Sequence, residues 1–154
     1  MFNGTHTHAI DAKGRTSLPA KFREELAVQW SAGEAPLVMV TRDPLMKCLR
    51  LYPMPAWNAV QKTLAEKSTF DRRVATLIRL FVGSAQETQV DKLGRMLIAP
   101  DLREAAELTG KVAFVGFIEY IEIWNQQHYE AWLRDQQQGD NVEKNAQAIQ
   151  ELGL

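Results

Sequence analysis

The chain has 154 residues, of which 45% are hydrophobic and 24% charged, and its formal net charge is −1, a composition typical of a folded globular protein. A single cysteine, Cys48, excludes an intramolecular disulfide and a cysteine-based zinc cluster. The longest apolar run, residues 112–118, is much shorter than the roughly 20 residues that a membrane-spanning helix needs.

The first residues and the distribution of charge narrow the class of protein further. Residues 1–6 have neither a basic start nor an apolar core, so we expect no secretory signal and a cytoplasmic location. Residues 1–80 hold 12 Lys and Arg against 7 Asp and Glu, a net +5, whereas residues 81–154 hold 6 against 12, a net −6. A basic face is therefore compatible with an overall charge near zero.

The first half of the chain predicts two strands, a helix, a β-hairpin and two further helices, in that order. An Asp-x-x-Gly-Arg turn joins the first two strands, and its Gly14 can take the positive φ that a tight hairpin requires. Pro19 and Pro55 each fit the start of a helix, and Asp71 can cap the last helix of this half. The expected strands are 5–10, 15–18, 37–41 and 48–52, and the first helix spans 20–28.

The second half repeats this order with a shorter internal connection. The segment Asp91-Lys-Leu-Gly-Arg95 matches Asp11-Ala-Lys-Gly-Arg15 at an offset of 80, and an Arg-Glu pair follows both copies. A helix over 100–108 is expected to stop at Gly110. Such a duplication predicts a pseudo-symmetric fold. The expected strands are 87–90, 95–98, 111–116 and 120–124.

The C-terminal part of the chain is polar and weakly patterned. Asn125 can cap a helix that carries Trp132 at an apolar position, where we expect a core tryptophan. The segment from about residue 136 either frays or forms a weak helix. The apolar positions of that helix would be Val142, Ala146, Ile149 and Leu152.

The repeated turn motif has two interpretations. At a hairpin tip Lys13 and Arg15 would project together, and an arginine can hold a guanine edge or a phosphate through two hydrogen bonds. A two-stranded ribbon also fits the major groove of DNA. Alternatively, Asp11 pairs with Arg15 and only fixes the hairpin, a surface pair of about 0–1 kcal/mol. In the second copy Leu93 replaces the lysine, which favours the structural interpretation of Arg95.

The remaining polar residues do not indicate catalysis. His6 and His8 lie on one side of a strand, but no third or fourth metal ligand is evident nearby, so polar strand residues are the better interpretation. Arg72, Arg73 and Arg79 either contact phosphates or form a solvated helix face. The sequence carries no nucleophile elbow, phosphate-binding loop or zinc-protease motif. We therefore expect no enzyme activity, cofactor, metal or small-molecule substrate.

These motifs together resemble the MraZ family of bacterial transcription regulators over roughly residues 1–133. The resemblance implies an α+β, β-rich fold, in which each half is a swapped-hairpin unit of the AbrB type. The two halves would form one pseudo-symmetric β-barrel flanked by helices, with a division into 1–80, 81–135 and a polar tail 136–154. The matching segments are Met1-Phe2-x-Gly4, residues 10–24, Leu51-Tyr52-Pro53-Met-Pro55-x-Trp57, residues 90–103, Phe114-Val115-Gly116 and Glu122-Ile123-Trp124.

The resemblance also implies a function. It suggests a sequence-specific regulator, usually a repressor, that binds double-stranded DNA at repeated promoter sites of the division and cell-wall gene cluster. It further implies a ring-forming homo-oligomer associated with the nucleoid. The implied DNA-binding residues are Lys13, Gly14 and Arg15 in the first copy and Gly94 and Arg95 in the second. An antitoxin-like protein-interaction module on the same fold is the alternative.

Overall fold

The computed structural model describes residues 1–32 and 36–154, which form eight strands and six α-helices. The strands are β1 (Thr5–Ile10), β2 (Arg15–Ser17), β3 (Leu37–Arg42), β4 (Leu49–Pro53), β5 (Gln86–Gln89), β6 (Arg95–Leu97), β7 (Gly110–Phe117) and β8 (Tyr120–Asn125). The helices are α1 (Ala20–Ala27), α2 (Met54–Ala65), α3 (Arg72–Leu77), α4 (Pro100–Ala106), α5 (Gln126–Gln136) and α6 (Asp140–Leu152); a π-helical turn, Ile78–Val82, continues α3.

The strands form one antiparallel sheet that is almost closed into a barrel. Their order is β5-β3-β4-β8-β7-β1-β2-β6, and the two end strands are joined by the second Asp-x-x-Gly-Arg turn. Taken around the barrel, with β6 followed again by β5, this circular order is unchanged when β1 to β4 are exchanged with β5 to β8. A pseudo-twofold axis therefore relates the two halves. The axis passes between β2 and β6 and again between β4 and β8, which are the two ladders that pair equivalent strands.

Each half lends its first strand to the other half. Strand β1 pairs with β7 of the second half, and β5 pairs with β3 of the first half. Inward-facing side chains of both halves then share one core, in which Phe22, Leu26 and Leu102 of α1 and α4 are almost fully buried. Burial of such a side chain contributes about 1.5–3 kcal/mol. The expected α+β, β-rich barrel with two repeated halves and flanking helices is confirmed.

The structure differs from expectation in two details, the end of α4 and the burial of Trp132. Helix α4 stops at Ala106, because Glu107 takes a left-handed conformation (φ 51°), and Gly110 instead begins β7. Trp132 is 39% exposed and stacks on Tyr129 rather than entering the core. Within residues 1–32 and 36–154, no helix has the length and apolar character needed to cross a membrane.

The C-terminal segment forms a regular helix. Helix α6 packs beside α5 through amides: Asn141 Nδ2 donates to the Asp135 carbonyl at 3.0 Å, and Asn145 Nδ2 donates to the Gln136 carbonyl at 3.3 Å. No residue of α6 is buried by the part of the chain that the structure describes. Of the two interpretations of this tail, a helix is therefore correct.

Candidate nucleic-acid interface

The two Asp-x-x-Gly-Arg hairpins meet along the β2–β6 ladder. In its register Arg15 lies opposite Leu97 and Ser17 lies opposite Arg95. The residues between them, Thr16 and Met96, point inward and are buried. Arg15 and Arg95 consequently project from the same outer face as diagonal neighbours, a relation that places such residues about 7–8 Å apart.

An aspartate fixes each arginine in the same way. Asp11 Oδ1 accepts the backbone N–H groups of Lys13 and Arg15, both at 2.9 Å, and Asp11 Oδ2 accepts Arg15 Nε at 2.7 Å. Asp91 accepts the backbone N–H of Arg95 at 2.8 Å and its Nε at 2.7 Å. These hydrogen bonds hold the pKa of both carboxyl groups below the ordinary value. The ion pair that the structural interpretation requires is therefore present in both copies.

The ion pairs leave the outer edge of each guanidinium available. Only Nε is engaged, and the side chains of Arg15 and Arg95 are 63% and 65% exposed. Among the residues that the structure describes, neither arginine has a hydrogen-bond acceptor for Nη1 or Nη2. The structural and the binding interpretations are thus compatible, because the aspartate orients an arginine that can still donate to a guanine edge or a phosphate.

A shallow groove of about 730 Å³ runs between the two arginines. Asp11 and Asp91 lie beside Arg15 and Arg95 in its lining, and His8 lines it from β1. Burial and the neighbouring His6 lower the pKa of His8, in that order of importance. The groove is open rather than enclosed, which suits the edge of a long polar ligand better than a small molecule.

The two motif glycines lie beneath the tips and shape them. Gly14 has φ +87°, and a Cβ atom there would lie 2.5 Å from Arg103 Nε and 2.6 Å from the Ile98 carbonyl oxygen. Gly94 has φ +81°, and its Cβ would lie 3.0 Å from Arg23 Nη1. Both glycines are buried. Because they lack a Cβ atom, the two glycines allow the backbone of each tip to lie close to the other repeat.

Each tip is supported by an arginine of the other repeat, which the sequence analysis did not predict. Arg103 Nη1 donates to the carbonyl of Ala12 at 3.0 Å, below the first tip, and Arg23 lies against the second tip at Gly94. The repeated Arg-Glu pair was the signal in the sequence. Its meaning depends on the pairing of β2 with β6, which places α4 beneath the first hairpin.

The two tips carry the same charge. In the second copy the lysine is shifted by one position, to Lys92, and its side chain is exposed like that of Lys13. Each tip therefore has one aspartate, one lysine and one arginine, a net +1. The exposed side chain of Leu93 adds an apolar group to the second tip, in place of Lys13.

Other candidate residues lie elsewhere or have structural partners. His6 and His8 pack edge-on against Phe22 and Phe114, with ring centroids 5.1 Å and 5.8 Å apart. Arg73 is held by Asp71 at 2.8 Å. The three arginines Arg72, Arg73 and Arg79 lie on α3 and its π-helical extension, outside the groove.

One buried group of potential metal ligands exists among the described residues, formed by Asp43, Cys48 and Glu122. Its oxygens already have partners: Asp43 binds Arg50 Nε at 2.5 Å, and Glu122 accepts Trp124 Nε1 at 2.9 Å. Burial strongly raises the pKa of the Cys48 thiol, which disfavours the thiolate that a metal would need. The cluster is better explained as a structural polar network.

Comparison with known proteins identifies the class as transcription regulators rather than enzymes. Proteins named "Transcriptional regulator MraZ" from Marinomonas sp. (strain MWYL1), Methylobacillus flagellatus and Anaeromyxobacter sp. (strain Fw109-5) are 42%, 38% and 40% identical to this chain. The alignments cover 93%, 93% and 92% of this chain and 92%, 93% and 95% of the relatives. A family model described as "MraZ protein, putative antitoxin-like" matches residues 1–80 and again 81–152. The chain therefore belongs to the MraZ family.

Proposed function

We propose that this regulator binds double-stranded DNA in a sequence-specific manner through the outer face of the β2–β6 ladder. The observation that carries the proposal is the pair Arg15 and Arg95, which share one face and are each fixed through Nε by an aspartate. A guanidinium held in this way loses little side-chain entropy on binding and can donate twice to guanine.

The other predicted residues take supporting roles in this proposal. Lys13, together with Lys92 of the second tip, is placed to contact phosphates that flank the bases read by the arginines. Gly14 and Gly94 allow the tips to approach the opposite repeat closely. The affinity of one chain is modest, because each tip carries a net charge of only +1.

Repeated sites and a ring of subunits compensate for weak single contacts. A ring that presents many tips to successive DNA repeats gains about 10²–10⁴ in apparent affinity when several subunits engage together. We propose that the protein acts in this form, in the cytoplasm at the nucleoid, on repeated sites in the promoter of the division and cell-wall gene cluster. Binding there would repress transcription by covering the promoter.

Fluorescence anisotropy on promoter-repeat DNA tests the contacts directly. Arg15→Ala and Arg95→Ala should each weaken binding by about 1–3 kcal/mol, or roughly 5- to 150-fold, as expected for loss of a bidentate base contact. Arg42→Ala is the matched control, since it removes an exposed arginine that does not line the groove. Unfolding midpoints should show that all variants are folded. Equal affinities for wild type and both tip variants would refute this DNA-binding surface.

An antitoxin-like protein-interaction module is the second candidate function. It is favoured by the description of the matching family and by the exposed apolar positions of α6. The same titration separates the two functions. A wild-type protein that binds no promoter DNA at low salt would support the interaction module.

A further inference from the structure

The outer face of the β2–β6 ladder carries four side chains, and one of them is apolar. Arg15 and Ser17 point outward from β2, and Arg95 and Leu97 point outward from β6, because side chains alternate along a strand and the residue between each pair is buried. Leu97 is 55% exposed and lines the groove that runs between the arginines. The face that carries the two arginines therefore also presents a large apolar group.

Leu97 lies between the two arginines. It is directly opposite Arg15 in the ladder, a position in which the two Cβ atoms are about 4.5–5.5 Å apart. It also follows Arg95 by two residues on the same strand, which corresponds to about 7 Å at the usual rise of a strand. A ligand that is held by both arginines must therefore cover Leu97.

A single exposed leucine is common on protein surfaces and by itself indicates no function. The comparison of the two repeats distinguishes this one. Leu97 and Ser17 are equivalent at the offset of 80, and each lies opposite the arginine of the other repeat. The arginine is thus the same in both repeats, whereas its neighbour across the ladder is apolar in one case and polar in the other. The two halves of the face are chemically different at this position.

The edges of the base pairs offer a contact that suits this difference. In the major groove the base pairs present hydrogen-bond donors and acceptors and one apolar group, the methyl group of thymine. A leucine placed against a donor or acceptor would deprive that group of water without replacing its hydrogen bond, which is unfavourable. A serine hydroxyl can donate or accept and therefore tolerates several bases.

We infer that Leu97 is a specificity-determining residue that packs against the methyl group of one thymine in the DNA site. Ser17, at the equivalent position, hydrogen-bonds to a base edge instead. The two pseudo-symmetric halves of the chain consequently read different bases, although both use an arginine held by an aspartate. This inference rests on the proposed DNA-binding function, which it deepens.

Removal of single methyl groups from the DNA tests the contact. Deoxyuridine pairs with adenine as thymidine does but lacks the methyl group, so each thymine of a single promoter repeat can be replaced in turn. In anisotropy titrations at low salt, wild type should bind one of these duplexes about fourfold more weakly, as expected for one buried methyl group. The other replacements should have no effect. Leu97→Ser should bind the sensitive duplex and its thymine parent equally.

Two further variants are the controls. Leu97→Met conserves the volume and the apolar character of the side chain, so it should keep the fourfold discrimination. Leu93→Ser makes the same change as Leu97→Ser at another exposed leucine of the second repeat, one that does not line the groove, and it should also keep the discrimination. Both leucines are exposed, so the fold should tolerate the changes, and thermal unfolding verifies that each variant is folded.

The possible outcomes separate this inference from the proposed function. The inference is overturned if no thymine of the repeat is sensitive, if Leu97→Ser keeps the discrimination, or if Leu93→Ser loses it. When Arg15→Ala weakens binding but no deoxyuridine does, the DNA-binding surface stands and only the role of Leu97 falls. A wild type that binds no promoter DNA at all removes both proposals.

Discussion

At the scale of single residues, the carboxylates of Asp11 and Asp91 organise the two arginines. Each one accepts two backbone N–H groups of its own turn and the Nε of the arginine four residues later. The ionised form is therefore favoured, and the pKa of each aspartate lies below its ordinary 3.8. A carboxyl group whose pKa is lowered in the folded state stabilises the fold when the pH is above its ordinary pKa. This stabilisation disappears as the pH falls through the lowered pKa.

We accordingly expect the tips to keep their structure across neutral pH and to loosen only below about pH 4. Carboxyl-carbon NMR titration should give midpoints below 3.8 for both aspartates. In Arg15→Gln the midpoint of Asp11 should rise, while that of Asp91 stays the same. Ordinary midpoints in the wild type would show that the ion pairs do not form in solution.

Gly14 provides a second test at this scale. Gly14→Ala adds left-handed strain, about 1–2 kcal/mol for a non-glycine residue, and also places a Cβ within 2.6 Å of Arg103 Nε and the Ile98 carbonyl oxygen. Gly110→Ala is the control, since Gly110 has φ +68° but no heavy atom within 4 Å of its added Cβ. Urea unfolding should show a loss for Gly14→Ala that exceeds that of Gly110→Ala by about 1–3 kcal/mol, the usual cost of overpacking. Equal losses would mean that the tip yields freely.

At the scale of elements, helix α4 of the second repeat supports the hairpin of the first. Arg103→Met keeps the aliphatic stem but removes the donor to the Ala12 carbonyl, so the first tip should lose its fixed position. We expect about tenfold weaker DNA binding and a stability loss near 1 kcal/mol, the net value of one hydrogen bond. The double variant with Arg15→Ala should bind no more weakly than Arg15→Ala alone, because both act through the same contact. If the losses of DNA affinity from Arg103→Met and Arg15→Ala add in the double variant, Arg103 affects DNA binding independently of Arg15.

The elements also show what the sequence could predict. The strands of both repeats were predicted to within one or two residues, since alternating apolar residues and glycine turns are local signals. The end of α4 was not, because Glu107 takes a left-handed conformation without glycine. The supporting roles of Arg23 and Arg103 were out of reach for a different reason. They arise from the pairing of β2 with β6 across the two repeats, which no local pattern encodes.

At the scale of the whole molecule, the two pseudo-symmetric repeats are alike in one region and different in another. Around β2 and β6 the repeats stayed alike, each with an Asp–Arg pair and a net charge of +1. Around the helices they diverged, to a net +3 in residues 54–82 after β4 and a net −3 in residues 126–152 after β8. Similarity suits two tips that act on one ligand.

This arrangement predicts how affinity depends on the number of DNA repeats. One chain offers two arginines and two lysines at its tips, so log K against log salt for a single repeat should have a slope no steeper than about −4, at −0.9 for each neutralised phosphate. DNA with several repeats should bind wild type about 10²- to 10⁴-fold more tightly than one repeat, with a steeper slope. Anisotropy titrations at two salt concentrations measure both quantities. Full wild-type affinity for one repeat, or affinity independent of salt, would contradict binding by many weak tips.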